Sequence, residues 1–218
     1  MVLQDFHLPM TYQWEKPVKA ILDYFQLEDV TLIGRSLGGC LSIRAAAYEQ
    51  RVQRIVANDV MTDFYEVILS QISSTTRIGI RILLKIKAAN LVNQRMLRQM
   101  QRSLIAEWGL KHGMPVMGVQ TPYEFLKSIM HYQTQDMSQL ITQDVLLMAS
   151  AEDHSIPCYQ FYDQIRLITN ARSLTARLFT RYENAQNHDQ VGNTALSLNV
   201  IVDWLESCSN TRCGTNEA

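Results

Sequence analysis

Two spacings of apolar residues alternate along this chain, and each change of spacing marks a new element. Pro17 is followed by Val18, Ile21, Leu22 and Phe25, the i, i+3, i+4, i+7 pattern of an amphipathic helix opened by proline. Residues 30–33 are a β-branched apolar run, as a strand buried on both faces of a parallel sheet requires. Residues 37–48 then read as a helix in which Gly38, Gly39, Ala45, Ala46 and Ala47 allow close approach to a sheet. Strand-like runs recur at 54–60, which includes Asn58-Asp59, at 145–150, and at 174–180. The second of these leads through Ala151-Glu152-Asp153 into a helix over 157–168, and the third into a polar loop carrying His188. A last helix holds Leu196, Val200, Ile201, Trp204 and Leu205. Strand and helix in alternation predict an α/β fold, a mostly parallel sheet with helices on both faces.

Residues 61–143 break this order. They contain no convincing strand and predict three or four helices, a helical lid inserted between two neighbouring strands. Ile78, Ile82 and Ile86 recur every fourth residue as one apolar face. Arg77, Arg81, Lys85, Lys87, Arg95, Arg98 and Arg102 make the same stretch basic, with no acid between Glu66 and Glu107, which reads as a solvated face or as a surface for an anionic substrate or partner. The expected division is therefore a core from 1–60 and 144–207, the lid at 61–143, and a polar tail at 208–218 that frays.

Composition narrows the partners. With 218 residues, 47% of them hydrophobic, the chain has material for one substantial core. A net charge of −1 offers no global attraction for nucleic acid or a membrane surface, and no apolar run reaches the roughly 18 residues of a membrane span. No basic segment followed by an apolar one stands near the N-terminus, so a cytoplasmic protein is expected. Cys40, Cys158, Cys208 and Cys213 are dispersed and form no paired C-x-x-C set, which fits reduced thiols, although Cys208 and Cys213 are close enough in sequence to oxidise. No metal or organic cofactor is implied.

The chemistry enters at Gly34-Arg35-Ser36-Leu37-Gly38. A serine at the tip of a strand that turns at once into a helix sits in strained backbone, and the pattern places glycine on both sides where side chains have little room. The helix start gives the hydroxyl the positive end of the dipole, and the Leu37 N–H points where an oxyanion forms. Serine needs a base held by a carboxylate. Of the five histidines, His7 lies in the N-terminal arm, His112 and His131 in the lid, and His154 beside a candidate acid, whereas His188 follows the final strand. Loops beyond the carboxyl ends of parallel strands gather on one rim, so Ser36, Asp153 and His188 can meet. Asp59 is the alternative acid, and Asp189 is less well placed to hold the ring than a residue from another strand. Arg35 is either solvated or a binder of an anionic substrate group. The glycine spacing matches neither a phosphate loop nor a dinucleotide fingerprint.

These blocks, with Ala151-Glu152-Asp153-His154-Ser155-Ile156-Pro157 and Asn187-His188-Asp189, resemble the α/β-hydrolase fold superfamily, nearest its dienelactone hydrolase and prolyl-oligopeptidase-like branch. The resemblance implies Ser36 as nucleophile, His188 as general base, Asp153 as the residue that orients it, and Leu37 as an oxyanion donor. It also implies a small-molecule acyl substrate and an ester, amide or related bond. Members carry several strands before the serine strand, with a loop among them giving the second oxyanion donor, yet only about 30 residues precede it here. That side of the sheet is expected to be incomplete, through a shortened gene product or through strands supplied by a partner, and its exposed edge invites homo-oligomers. The rival expectation is a non-catalytic hydrolase-like binding module that lacks part of the oxyanion hole.

Overall fold

The computed structural model describes residue 6, residues 8–102 and residues 104–213, so that His7 of the predicted N-terminal arm lies outside the described residues. In chain order the elements are α1 (Glu15–Phe25), β1 (Val30–Arg35), α2 (Leu37–Tyr48), β2 (Val52–Asn58), α3 (Phe64–Ser70), α4 (Ser74–Lys85), α5 (Ala89–Met100), α6 (Leu104–Val116), α7 (Pro122–Ile129), β3 (Asp144–Ser150), α8 (Tyr159–Leu167), β4 (Ser173–Phe179) and α9 (Thr194–Cys213). They form two compact units, Gln13–Asp63 with Gln133–Ala218, and Met1–Tyr12 with Phe64–Tyr132.

The first unit is an α/β layer structure. Its four strands lie in the order β1-β2-β3-β4, every neighbouring pair parallel. Because side chains alternate across a strand, each buried strand feeds two cores. Ile55, Ala57, Val145, Leu147 and Ala149 meet Val18 and Leu22 of α1, Ile43, Ala45 and Ala46 of α2, and Phe161 of α8. Val56, Leu146, Met148 and Phe179 meet Ala185 and the α9 residues Ile201 and Trp204 on the other face. The sheet is thus covered by helices on both sides, and its strand ends all point to one rim.

Several local expectations shift. Pro17 sits in the first turn of α1 but does not open it, since the helix begins at Glu15; its missing N–H falls where no intrahelical acceptor exists. Likewise Pro157 lies two residues before the first residue of α8, with Cys158 between them as the flanking residue. The final helix runs through Cys213, so residues 208–213, read as the start of the polar tail, are helical. Among the described residues β1 pairs only with β2, and Ile33 is 54% exposed, which leaves an open sheet edge.

The second unit is helical. Among the described residues of 61–143 it contains α3 through α7, five helices where three or four were expected. Within it α5 packs against α4, α6 and α7. The buried side of α4 is Ile80, while Ile78, Ile82 and Ile86 face outward, each more than half exposed. The isoleucine stripe expected from the spacing is present, and it lies on the exposed side of the helix. Where the chain leaves the α/β unit and re-enters it, Asp63 and Gln133 form an antiparallel bridge, and Thr134 N–H donates to Thr62 C=O at 2.9 Å. Buried Gln160 of α8 locks this neck, accepting from the N–H groups of Thr62 (2.8 Å) and Asp63 (3.0 Å) and donating to Asp63 C=O (3.0 Å).

The two glycines flanking Ser36 do not carry equal weight. A Cβ added at Gly34 would lie 2.0 Å from the Gly38 carbonyl oxygen and 2.7 Å from the Gly39 nitrogen, whereas one added at Gly38 meets nothing within 4 Å. The expectation that both flanks need glycine for room therefore holds for Gly34 alone. Gly34→Ala is expected to destabilise the protein by about 3 kcal/mol or more, because backbone must move to admit the methyl group. Gly38→Ala is expected to be neutral or to stabilise by up to about 1 kcal/mol, as alanine favours helix. Urea unfolding of the two variants checks this, and equal stabilities would refute the steric account.

Candidate active site

Ser36 stands at the junction of β1 and α2 with φ 53° and ψ −120°. A non-glycine residue in this region costs on the order of 1–3 kcal/mol, and it persists only where the surroundings enforce it. Two backbone hydrogen bonds do so here: Ser36 N–H donates to Asn58 C=O at 2.8 Å, and Gly39 N–H donates to Ser36 C=O at 2.9 Å. The side chain makes no capping bond to its own helix, so the turn is not an ordinary serine N-cap. Leu37 is the first residue of α2, where an N–H has no intrahelical acceptor. Cys40, one turn further on, is buried, and burial pushes its thiol up to about 12, which leaves it an inert neighbour of the serine.

Asp153 follows β3 in a turn it organises itself. Its Oδ1 accepts the N–H groups of Ser155 at 2.7 Å and Ile156 at 3.0 Å, which leaves Oδ2 to meet His188 Nδ1 at 2.7 Å. Burial raises the Asp153 carboxyl, but the His188 bond and the two backbone donors outweigh it and hold the group below its usual value. The same bond raises the His188 imidazole above its ordinary value against the opposing effect of burial, with the charges of Asp153, Asp189 and Asp59 adding to the rise. The acid loop and the histidine loop are further joined by Glu152 N–H donating to Gln186 C=O at 2.9 Å, and by the Arg181 guanidinium, which reaches both oxygens of Glu152 at 3.0 and 2.7 Å.

Asp59, the alternative acid, lies one residue beyond β2 and is 1% exposed. Its Oδ2 is 3.7 Å from His188 Nδ1, a full ångström longer than the Asp153 contact and beyond hydrogen-bond range. That oxygen instead accepts the backbone N–H of Asp189, and Oδ1 accepts from Gln190 Nε2 at 3.0 Å. Burial pushes the Asp59 carboxyl up to about 6, with the Asp189 N–H acting in the opposite direction. Asp59, Asp153 and His188 also bring one ligand-type atom each within 4.8 Å of one another. As they stand, His188 Nδ1 and both Asp oxygens nearest it are engaged in hydrogen bonds among themselves and with Asp189 N–H.

Arg35, read from the sequence as solvated or as a binder of an anionic group, is half exposed and faces Asp189. Its Nη2 lies 3.5 Å from Asp189 Oδ2 and 3.4 Å from the Asp189 carbonyl oxygen. Asp189 Oδ2 is in turn 4.0 Å from His188 Nε2. The serine turn and the histidine loop are therefore neighbours, joined through Arg35 and Asp189, although no hydrogen bond links the Ser36 hydroxyl to His188 in this conformation. His154 meets the His188 ring edge-on at 6.0 Å. The two histidines of the helical unit are stacked on aromatic rings of that unit, His131 on Tyr12 and His112 on Trp108.

The structure brings Asp153 and His188, both singled out in the sequence, into contact and sets the Ser36 turn beside the histidine loop, while the use made of Asp189, Gln190 and Asp59 left little sign in the sequence pattern. Asp189 and Gln190 have φ of 56° and 52°, and Asp59 has φ of 48°. Left-handed backbone at non-glycine positions leaves no mark in hydrophobic periodicity, and the proximity of Asn58-Asp59 to a strand end was the one available sign.

No protein-family model matches the chain, and a sequence search of curated proteins finds no match. Solved structures do match. An α/β hydrolase from Penicillium sp. sh18 is 14% identical with a TM-score of 0.58, over 91% of this chain and 73% of that one. A meta-cleavage product hydrolase is 18% identical with a TM-score of 0.57, over 92% of this chain and 74% of that one. A 2,6-dihydroxy-pseudo-oxynicotine hydrolase is 16% identical with a TM-score of 0.50, over 79% of this chain, which spans only 41% of that protein. At these identities the likeness is one of architecture, and it agrees with the parallel sheet covered by helices on both faces: the chain has the α/β-hydrolase fold.

Proposed function

We propose that this protein is a serine hydrolase that cleaves an ester, amide or related acyl bond of a small molecule through Ser36, His188 and Asp153. The observation that carries the reading is the 2.7 Å contact of Asp153 with His188 Nδ1, which leaves Nε2 as the nitrogen available to a serine held in strained backbone one loop away. In this reading His188 takes the proton of Ser36 as the hydroxyl attacks the acyl carbon, and the Leu37 N–H receives the developing oxyanion. His188 returns the proton to the leaving group, and water then releases the acyl-enzyme by the reverse sequence. Catalytic hydrogen bonds often tighten only when substrate is bound, so the unformed Ser36–His188 bond is compatible with the scheme. The thiols of Cys40 and Cys158, which form no disulfide, support a reducing, cytoplasmic setting. Pairing of two copies through the open edge of β1 belongs to the same proposal.

The rival, a binding module without turnover, is favoured by the open edge beside β1 and by the unformed Ser36–His188 bond. Fluorophosphonate labelling separates the two. Wild-type protein is expected to be labelled at Ser36, and Ser36→Ala or His188→Ala to lose labelling and to lower any esterase turnover on the order of 10⁴-fold or more. Folded wild-type protein that takes up no label would overturn the hydrolase reading.

The pH dependence follows from the shifted groups. A general base must be neutral, so activity is lost as pH falls through the raised pKa of His188, and the acid limb is expected above 6.5. Stability from the ion pair has the opposite sign at this end. It is fully present below the unfolded histidine value near 6.5, fades as pH rises through the folded value, and is lost at the acid end as Asp153 protonates below about 3.8. Labelling rate and thermal midpoint measured on the same buffer series should thus move in opposite directions across neutrality, and parallel movement would contradict the assignment.

A further inference from the structure

Asp153 alone would suffice to orient an imidazole, yet a second carboxylate is buried beside it. Both oxygens of Asp59 are spent on the residues that follow His188: one on the N–H of Asp189, the other on the side chain of Gln190. Gln190 is itself fully buried and donates also to Ser150 Oγ at 2.9 Å, at the end of β3. Asp189 and Gln190 are the two consecutive left-handed residues of the loop, a conformation that neither Asp nor Gln adopts in sequence unaided. Asp189 is gripped from the opposite side as well, by Arg35 at its carbonyl and carboxylate. The ends of β1 and β2 therefore hold one residue between them, the residue next to His188.

We propose that Asp59 is a positioning residue for His188: its carboxylate fixes the left-handed turn at Asp189 and Gln190, and its charge at 3.7 Å supports the protonated ring. Asp153 sets the rotation of the imidazole, while Asp59 and Arg35 set where its backbone stands relative to the Ser36 turn. The inference takes its catalytic meaning from the hydrolase reading, but its physical content concerns the folded resting protein. The charged and titratable groups around the ring are Asp153 from the β3 loop, Asp59 from the β2 end, Asp189 and His154 in the adjoining loops, and Arg35 through Asp189.

The test uses the full chain with labelled histidine, following the His188 imidazole by NMR across the neutral range, alongside the pH profile of fluorophosphonate labelling. Asp59→Asn keeps an acceptor oxygen and removes the charge. It is expected to lower the His188 pKa by about one unit, a tenfold change in proton binding. The acid limb of labelling is expected to move down by the same amount. Asp59→Ala removes both acceptors and is expected to slow labelling on the order of 10² at pH values above both limbs, with Asp59→Asn restoring most of that rate. A purely structural role predicts unchanged titration in Asp59→Asn, with labelling reduced only in proportion to the folded fraction, and that result overturns the proposal. Should Asp59→Ala not fold, the Asp59→Asn titration decides alone. Wild-type protein that resists labelling would sink the hydrolase reading, while the His188 titration still judges the role of Asp59.

Discussion

A serine at φ 53° and ψ −120° is the constraint on which the rest of this architecture turns. Such backbone is unstable by itself and exists because a strand paired along the edge of the sheet and a helix packed on it leave the chain no other path. Gly34 makes the path possible, since the Gly38 carbonyl occupies the space where a methyl group would stand. The sheet then acts as a jig. Parallel strands in the order β1-β2-β3-β4 present Arg35, Asn58-Asp59 and Ser150 at one rim, and the loops leaving that rim bring Asp153 and His188 to it. Two hydrophobic cores, one on each face, hold the strand ends to their register.

The electrostatics of the rim follow from burial. Three acids gather near one imidazole, and each is used differently. Asp153 is stabilised in its charged form by three donors, so it remains a carboxylate. Asp59 is pushed toward neutrality by its depth in the protein, a cost that a chain selected for stability alone would avoid with a neutral side chain. Asp189 is turned toward Arg35. Several neighbouring polar atoms, Asn58 Oδ1, Gln186 Oε1, Asp189 Oδ1 and Gln190 Oε1, are buried without a protein partner. Unsatisfied groups concentrated at one end of an otherwise well-packed unit mark where stability has been spent on something else.

How much of this was legible in the sequence depended on periodicity. The strands at β1, β2, β3 and β4 were visible as short apolar runs, with boundaries displaced by one or two residues; burial on both faces imposes that composition on β2 and β3, whereas the edge strands β1 and β4 are only partly buried, against the expectation for residues 30–33. That Ser36, Asp153 and His188 lie in loops at one rim was visible because the order of elements fixes which loops gather there. Periodicity cannot say which way an amphipathic stripe faces once several helices compete to cover each other, and α4 accordingly buries Ile80 and exposes Ile78, Ile82 and Ile86. Nor does it report left-handed backbone: Asp59, Asp189 and Gln190 are polar residues in polar loops, and only their hydrogen bonds distinguish them from solvated ones.

The neck at Asp63 and Gln133 has a consequence of another kind. Where a polypeptide exits and returns across a single bridge, pinned by one buried glutamine, whatever is spliced between those points begins and ends at the same gap. Closing such an excursion costs entropy that rises only with the logarithm of its length. Cassettes of very different size can therefore be exchanged there without disturbing the spacing of the strand tips.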